Sequence, residues 1–212
     1  MNSFGRIFRV QIFGESHGEL VGVLIDGCPA GIPLNPTLFQ EDLARRRGGQ
    51  QKGTTPRVEE DAPLLKTGVF AEKTTGAPLA ILFENKNTRS SDYEKIRQIP
   101  RPGHADFVAH QKFGGFEDYR GGGHFSGRLT ACLVAAGVVA KQLVGSIEIT
   151  ATLMEVGGEN SIEKGIDKAI AQQDSVGGIV ECVVKGLPIG LGEPFFDSVE
   201  SLLAHAIFSI PA

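Results

Sequence analysis

FRVQIFGESHGELVGVLID, residues 8–26, is the stretch whose reading decides the fold. Phe8-Arg9-Val10-Gln11-Ile12-Phe13 alternates apolar and polar side chains, the period of a half-buried strand. Leu20-Val21-Gly22-Val23-Leu24-Ile25-Asp26 is a second strand-like run. Between them, Gly14-Glu15-Ser16-His17-Gly18 sets a carboxylate, a hydroxyl and an imidazole between two glycines. Glycine permits a tight turn and close backbone approach, and histidine moves protons near neutral pH. The pentapeptide also fits G-x-S-x-G, the nucleophile elbow of serine hydrolases, with Ser16 as nucleophile. That elbow needs a helix after the serine. A strand follows here, so the pattern speaks against the hydrolase. Two readings stay open: a plain glycine turn with hydrogen-bonded Ser16 and His17, or a proton-transfer site.

Outward from this stretch, Gly27-Cys28-Pro29-Ala30-Gly31 turns the chain, and Thr37 with Gln40 reads as a capping box opening a helix that ends in Arg45-Arg46-Arg47. Residues 48–61 read as a polar loop, and 63–84 as short strands and turns. Residues 85–123 carry little periodicity but hold histidines, arginines and aromatics, which favours a functional segment over a disordered one. Leu129 to Leu143 reads as a buried helix, apolar on nearly all sides. Ser146 to Thr152 and Gly178 to Val184 read as strands. Ser161 caps a helix with Ile162, Ile166 and Ile170 on one face, and Asp197 with Glu200 is a second capping box. The order strand, Gly-x-Pro-x-Gly turn and helix occurs in Val21–Leu43 and again in Val180–Leu202, which predicts an internal duplication.

The chain has 212 residues, 28 glycines, no tryptophan and a net charge of −4. That charge argues against a general nucleic-acid binder. The three cysteines, Cys28, Cys132 and Cys182, sit in apolar stretches without metal-ligand spacing, so they read as reduced core thiols and predict no metal site. The N-terminus has no long apolar run. The most apolar segment, within residues 131–144, is shorter than the about 20 residues a bilayer requires. These features predict a cytoplasmic protein with no membrane partner.

Three further clusters bear on chemistry. Three consecutive arginines point in different directions around a helix, so the helix dipole accounts for only part of Arg45-Arg46-Arg47. With Lys52 and Arg57 they suit an anionic small molecule. Arg101-Pro102-Gly103-His104-Ala105-Asp106 puts a histidine in a rigid turn, with an aspartate placed to orient it. Tyr119-Arg120-Gly121-Gly122-Gly123-His124-Phe125-Ser126-Gly127-Arg128 runs into the apolar helix and reads as an anion cradle at a helix start, although it is neither a Walker A nor a Rossmann sequence. Together these residues suggest acid catalysis on a phosphorylated or carboxylated small molecule, without fixing the reaction.

The set GESHG (14–18), DLARRRGGQ (42–50), RPGHAD (101–106), DYRGGG-x-x-S-x-R (118–128) and DSVGG…GLPIGLGEP (174–194) resembles chorismate synthase in order and spacing over essentially the whole chain. The resemblance implies an α+β fold, a β-α-β sandwich with an internal pseudo-symmetric repeat, as one domain over 1–212 assembled into a homotetramer. It implies anti-1,4-elimination of phosphate from 5-enolpyruvylshikimate 3-phosphate to give chorismate, with reduced FMN required and no net redox change. NADPH enters only in members that reduce their own flavin, and no nicotinamide-binding motif is recognisable here. By position, His17 would protonate the departing phosphate and His104 the reduced flavin. Ser16, Arg46, Arg47, Lys52 and Arg128 would bind the substrate, with Arg46 and Lys52 also reaching cofactor phosphate. His124, Phe125 and Ser126 would contact FMN.

The resemblance is not complete. Many members read GGGRSSARET where this chain reads GGGHFSGRLT, so His124, Phe125, Gly127 and Leu129 depart from the pattern while Ser126 and Arg128 keep it. The family also continues well past the apolar ending Ser209-Ile210-Pro211-Ala212. The resemblance therefore predicts an N-terminal portion truncated at its C-terminus, with a folded but non-catalytic fragment as the alternative to an active enzyme.

Overall fold

The computed structural model describes residues 2–49, 52–55, 57–94 and 97–211. Of the expected loop 48–61, residues Gln50, Gln51 and Pro56 lie outside the described residues, as do Lys95 and Ile96 of the segment 85–123. The contacts divide the chain into two compact units: 1–47, 57–143 and 211–212 in the first, 48–56 and 144–210 in the second.

The first unit is built on an antiparallel sheet. Its strands are β1 (Ser3–Phe4), β2 (Arg9–Gly14), β3 (Leu20–Asp26), β4 (Leu64–Thr67) and β7 (Leu79–Glu84), in spatial order β1-β2-β3-β7-β4. A small separate ribbon pairs β5 (Val69–Phe70) with β6 (Lys73–Thr74). Helix α1 (Gln40–Arg46) follows β3, α2 (Asp106–Phe113) lies in the long segment after β7, and α3 (Thr130–Val144) closes the unit. The expected strand–turn–strand at 8–26 is the β2–β3 pair, in register Arg9↔Asp26 to Gly14↔Val21.

Alternation puts Val21, Val23 and Ile25 of β3 and Leu79, Ile81 and Phe83 of β7 on one fully buried face. Each such side chain contributes about 1.5–3 kcal/mol by leaving water. Ala131, Cys132, Ala135, Val138 and Val139 of α3 join the same core, as do Phe39 and Leu43. On the other face Phe13 lies across Gly22, where a Cβ would stand 2.5 Å from its ring.

The helical run 120–144 is long and apolar enough to cross a membrane by length and composition. It is broken by non-helical residues at Gly121, Gly122 and Gly123, and its α-helical part is 15 residues. At about 1.5 Å per residue that part falls short of a bilayer core. Its buried face belongs to the core of the first unit.

The second unit pairs β8 (Glu148–Val156) with β9 (Gly178–Lys185), antiparallel, joined through α4 (Ile162–Gln172) and followed by α5 (Val199–Ile207). The predicted duplication is visible in element order. Asp26 and Lys185 end β3 and β9, Pro36 and Phe195 start 3-10 turns, and Gln40 and Val199 start helices; 185 minus 26, 195 minus 36 and 199 minus 40 all give 159.

Several local expectations are corrected. Thr37 is not the cap: Asn35 Oδ1 accepts from the Thr37 amide at 3.1 Å and its hydroxyl at 2.6 Å, because Pro36 takes the first helical position. Likewise Ser198, not Asp197, caps α5, accepting from the Ser201 amide at 3.2 Å, since Asp197 already lies in the preceding 3-10 turn. Ser161 holds the cap position of α4 without a side-chain cap bond. Helix α2 has no counterpart in the sequence reading: Ala109 is its one buried residue, so no apolar stripe announces it, although Gly114 ends it at φ 62°. Cys28 and Cys132 are buried thiols as expected, but Cys182 is exposed.

Candidate functional site

The site forms where two glycine-containing segments of the first unit close on each other. Gly14 leaves β2 at φ +98°, and a Cβ there would stand 2.5 Å from the Leu20 carbonyl oxygen. The turn closes with the Gly18 amide donating to the Glu15 carbonyl at 3.1 Å. From the other side comes the 3-10 segment Arg120–Phe125, in which Gly121, Gly122 and Gly123 all have positive φ. Ser16 donates its amide to the Gly123 carbonyl at 3.0 Å, and His124 Nδ1 lies 2.9 Å from the Gly14 carbonyl oxygen. A Cβ on Gly121 would stand 2.5 Å from His17 Cδ2 and 2.9 Å from Ser16 Oγ. Gly121 thus admits the chain's own serine and histidine, Gly123 admits the Asp118 carbonyl, and Gly122 lines the neighbouring cavity. Ser16 is 1% exposed and His17 9%.

Arg57 grips the turn, with Nη1 donating to Ser16 Oγ at 2.8 Å and Nη2 to its carbonyl at 3.1 Å. Glu59 accepts from Arg57 at 2.7 Å and from the Lys86 and Asn87 amides at 3.1 and 3.2 Å. Burial pushes the Glu59 carboxyl up, but these hydrogen bonds win, and it sits below the usual carboxylate range. His17 Nδ1 lies 3.0 Å from Ser90 Oγ, and its ring meets Tyr93 edge-on. Asp118 is held low chiefly by Arg120, and the charged form of His17 adds to that.

Arg46 and Arg128 meet on one carboxylate. Asp61 has a fully buried side chain, pairing with Arg46 Nη1 at 2.7 Å and with Arg128 Nη1. Arg46 also donates to Thr130 Oγ1 at 2.9 Å and the Gly127 carbonyl at 3.3 Å. Arg128, its side chain 3% exposed, donates further to Asn85 Oδ1 at 2.8 Å and the Glu84 carbonyl at 3.2 Å. Burial, ahead of the attraction to Asp61 and the repulsion from Arg128, lowers the Arg46 guanidinium. Arg47 donates to the Glu60 carbonyl, and its Nε is buried with no hydrogen-bond partner among the described residues. Lys52 belongs to the second unit and pairs with Asp167.

His104 occupies its own turn, its Nδ1 3.1 Å from the Pro102 carbonyl oxygen. Asp106 does not orient it as expected. That carboxylate takes Arg101 Nε and Nη2, both at 2.8 Å, and is held low mainly for that reason. Ser126 spends its hydroxyl on the Arg128 amide at 3.3 Å. Beside the glycine segment opens a cavity of about 710 Å³, lined by Phe113, Phe116, Tyr119 and Phe125 together with His124 and Arg97. Two of the departures from the family pattern, His124 and Phe125, therefore face it, while Leu129 is buried in the core. His17 is not among the residues lining that cavity.

The sequence reading named Ser16, His17 and His124, which the fold brings together, and Arg46 and Arg128, which Asp61 joins. Asp61, Glu59 and Ser90 were missed. Glu59 and Asp61 lay in a loop of common polar residues and Ser90 in a segment without pattern. Arg57 was noticed only as added basic density.

The chorismate synthase family model matches residues 8–212. A chorismate synthase of Chitinophaga pinensis is 70% identical over the whole chain, which covers 64% of that relative's length. One from Dehalococcoides mccartyi is 45% identical over the whole chain, covering 66% of its length. A crystal structure of a chorismate synthase superposes with a TM-score of 0.75 at 23% identity, over 98% of this chain and 66% of that one, which speaks for the fold. The chain thus spans about two thirds of the length of the relatives it matches. A family match over nearly every residue, with the Ser16–His17 turn and the arginine pair in place, means that the chain belongs to the chorismate synthase family.

Proposed function

We propose that this chain carries the phosphate-facing part of a chorismate synthase, a lyase that eliminates phosphate from 5-enolpyruvylshikimate 3-phosphate by anti-1,4-elimination, in aromatic amino acid biosynthesis. The observation that carries the reading is the buried His17 under Gly121, in a chain of this family. Phosphate leaves slowly unless its developing charge is neutralised, and a positioned imidazolium supplies a proton for that. Arg57 and Glu59 fix the turn so that the ring need not reorganise.

Ser16, Arg46, Arg47 and Arg128 are our candidates for the substrate's phosphate and carboxylates. The buried Nε of Arg47, unbonded among the described residues, supports this, since a buried donor suits an anion. Asp61 keeps Arg46 and Arg128 from repelling each other before substrate arrives. Lys52 remains a candidate anion ligand on the family match alone.

The family implies reduced FMN, and the residues fit it: the aromatic-walled cavity has the size of a small-ligand pocket and meets His124 and Phe125. Ser126 stays a candidate contact. When bound, reduced FMN supplies an electron transiently, with no net redox change. His104 is our candidate for holding a proton near the cofactor; its Nδ1–H donates to the Pro102 carbonyl, leaving Nε2 to exchange the proton. NADPH belongs to the reading only where the protein reduces its own flavin. A single catalytic domain is supported by the family match spanning 8–212, and a cytoplasmic location by three free thiols. The homotetramer rests on the family alone. Phosphate release with reduced FMN under anaerobic conditions tests the reading. None from the folded protein, joined to the C-terminal third of a relative, would refute it.

A further inference from the structure

Strand β2 changes neighbours near its end. β1 and the preceding Asn2 accompany it as far as Ile12, whose amide donates to the Asn2 carbonyl at 2.9 Å. Beyond Ile12 the segment Arg120–Phe125 takes over. The Ser16 amide donates to the Gly123 carbonyl at 3.0 Å, and His124 Nδ1 lies 2.9 Å from the Gly14 carbonyl oxygen. Two neighbouring residues of one segment, Gly123 and His124, thus hold Gly14 and Ser16 of the other. A carbonyl only accepts, so His124 carries a hydrogen on Nδ1 whether its ring is neutral or charged. The neutral ring is therefore the Nδ1–H tautomer.

Such a tether has work to do at this place. Gly121, Gly122 and Gly123 all have positive φ, which glycine adopts without strain, but a run of glycines has many alternatives to lose on ordering. Gly123 is closed in by the Asp118 carbonyl, where a Cβ would stand 2.2 Å away. His124 then reaches from the segment to the strand end that leads into Ser16 and His17. The same imidazole lines the aromatic cavity, where its neighbour Phe125 tilts against Phe113 with ring centroids 6.2 Å apart at 48°. One side chain thus belongs both to the turn and to the cavity. The two jobs ask for different chemistry: the bond to Gly14 needs an N–H donor, the cavity wall only a ring.

We propose that His124 is a positioning residue: by donating Nδ1–H to the Gly14 carbonyl it fastens the glycine segment to the turn that carries Ser16 and His17, from a ring that also lines the cavity. Because Nδ1 keeps its hydrogen in both charge states, protonating the ring does not release the turn. The effect on the rate rests on His17 as the proton donor proposed above; the tether itself does not.

Two variants separate the jobs. His124→Phe keeps a ring without a donor, and His124→Asn keeps an N–H donor without the ring. The first measurement needs neither. Nuclear magnetic resonance of the 212-residue chain labelled with 13C and 15N, at a pH about two units above the ordinary histidine value near 6.5, is expected to show the hydrogen of neutral His124 on Nδ1. A hydrogen on Nε2 overturns the proposal. The second is amide exchange. The Ser16 amide exchanges about 10-fold faster in His124→Phe, the worth of about one hydrogen bond, and His124→Asn restores its protection, while the amides of β3 keep theirs. An unchanged Ser16 rate, or a rise shared equally by β3, overturns the tether. In the protein joined to the C-terminal third of a relative, with reduced FMN saturating each variant, His124→Phe lowers phosphate release by about 10-fold and His124→Asn recovers part of the loss. Unchanged release in His124→Phe overturns the positioning role. Unchanged release in His17→Gln would instead refute the acid, and the tautomer and the Ser16 exchange then decide the tether.

Discussion

Arg57 holds Ser16 by both ends, its Nη1 on the hydroxyl at 2.8 Å and its Nη2 on the carbonyl at 3.1 Å. The Ser16 hydroxyl is held by a guanidinium, and the neighbouring His17 presents Nδ1 to Ser90 and not to that hydroxyl, so Ser16 is an anchor and not a nucleophile. The consequence is that a fluorophosphonate probe leaves Ser16 unlabelled in the folded chain. Mass-spectrometric detection of a Ser16 adduct would contradict this.

Asp61 gives a stability prediction. Its side chain is fully buried between Arg46 and Arg128, and its φ is +52°. Asparagine tolerates that backbone nearly as well as aspartate, so Asp61→Asn isolates the charge. Leaving the buried Arg128 and the part-buried Arg46 guanidinium uncompensated costs about 3–5 kcal/mol. Urea unfolding at neutral pH measures it, and a loss under about 1 kcal/mol would show that the arginines find other partners.

The glycine segment separates two neighbouring substitutions. Gly121→Ala combines φ +60° with a Cβ 2.5 Å from His17 Cδ2. A displaced His17 ring lowers phosphate release by about 10²-fold, the scale of an ångström-sized misplacement. A Cβ on Gly127 would meet no atom within 4 Å, and its φ is not positive, so Gly127→Ala leaves release unchanged. Equal rates for the two variants would exclude Gly121 as a constraint on His17.

Acid should weaken the first unit. Arg120 holds the Asp118 carboxyl low and Arg101 the Asp106 carboxyl low, while for Glu59 hydrogen bonds from Arg57 and two amides outweigh burial. All three folded values lie below the unfolded ones, so the unfolded chain binds protons first as pH falls. The stabilisation is complete above the unfolded values near pH 4 and is lost as pH drops through the lower folded ones. Urea midpoints at pH 7 and pH 3.5 measure the loss. Glu59→Gln should lower the pH 7 midpoint and flatten the acid limb; an acid limb as steep as wild type would exclude Glu59 as a contributor.

How far the sequence could be read follows from the range of each interaction. The β2–β3 pair, the buried helix α3 and the repeat were legible because period and turn chemistry are local. The two misplaced caps share a cause: each helix is preceded by a 3-10 turn, at corresponding repeat positions, which shifts the capping residue. Helix α2 was hidden because its apolar residues make no buried stripe: Phe107, Val108 and Phe113 are exposed and only Ala109 is buried. His17 stood out by residue type. Ser90 reaches it across 73 residues and Asp61 reaches Arg128 across 67, separations at which no spacing rule operates. Motif resemblance located the arginines, but only the fold shows that one carboxylate binds two of them.

The most direct measurement compares phosphate release from 5-enolpyruvylshikimate 3-phosphate, with reduced FMN and without oxygen, by two proteins. One is this chain joined to the C-terminal third of its 70%-identical Chitinophaga pinensis relative; the other is the same protein carrying His17→Gln. The expected result is release by the first and a loss of about 10²–10⁴ in the second, with folding and FMN binding unchanged. Equal release by both would contradict His17 as the proton donor to the departing phosphate.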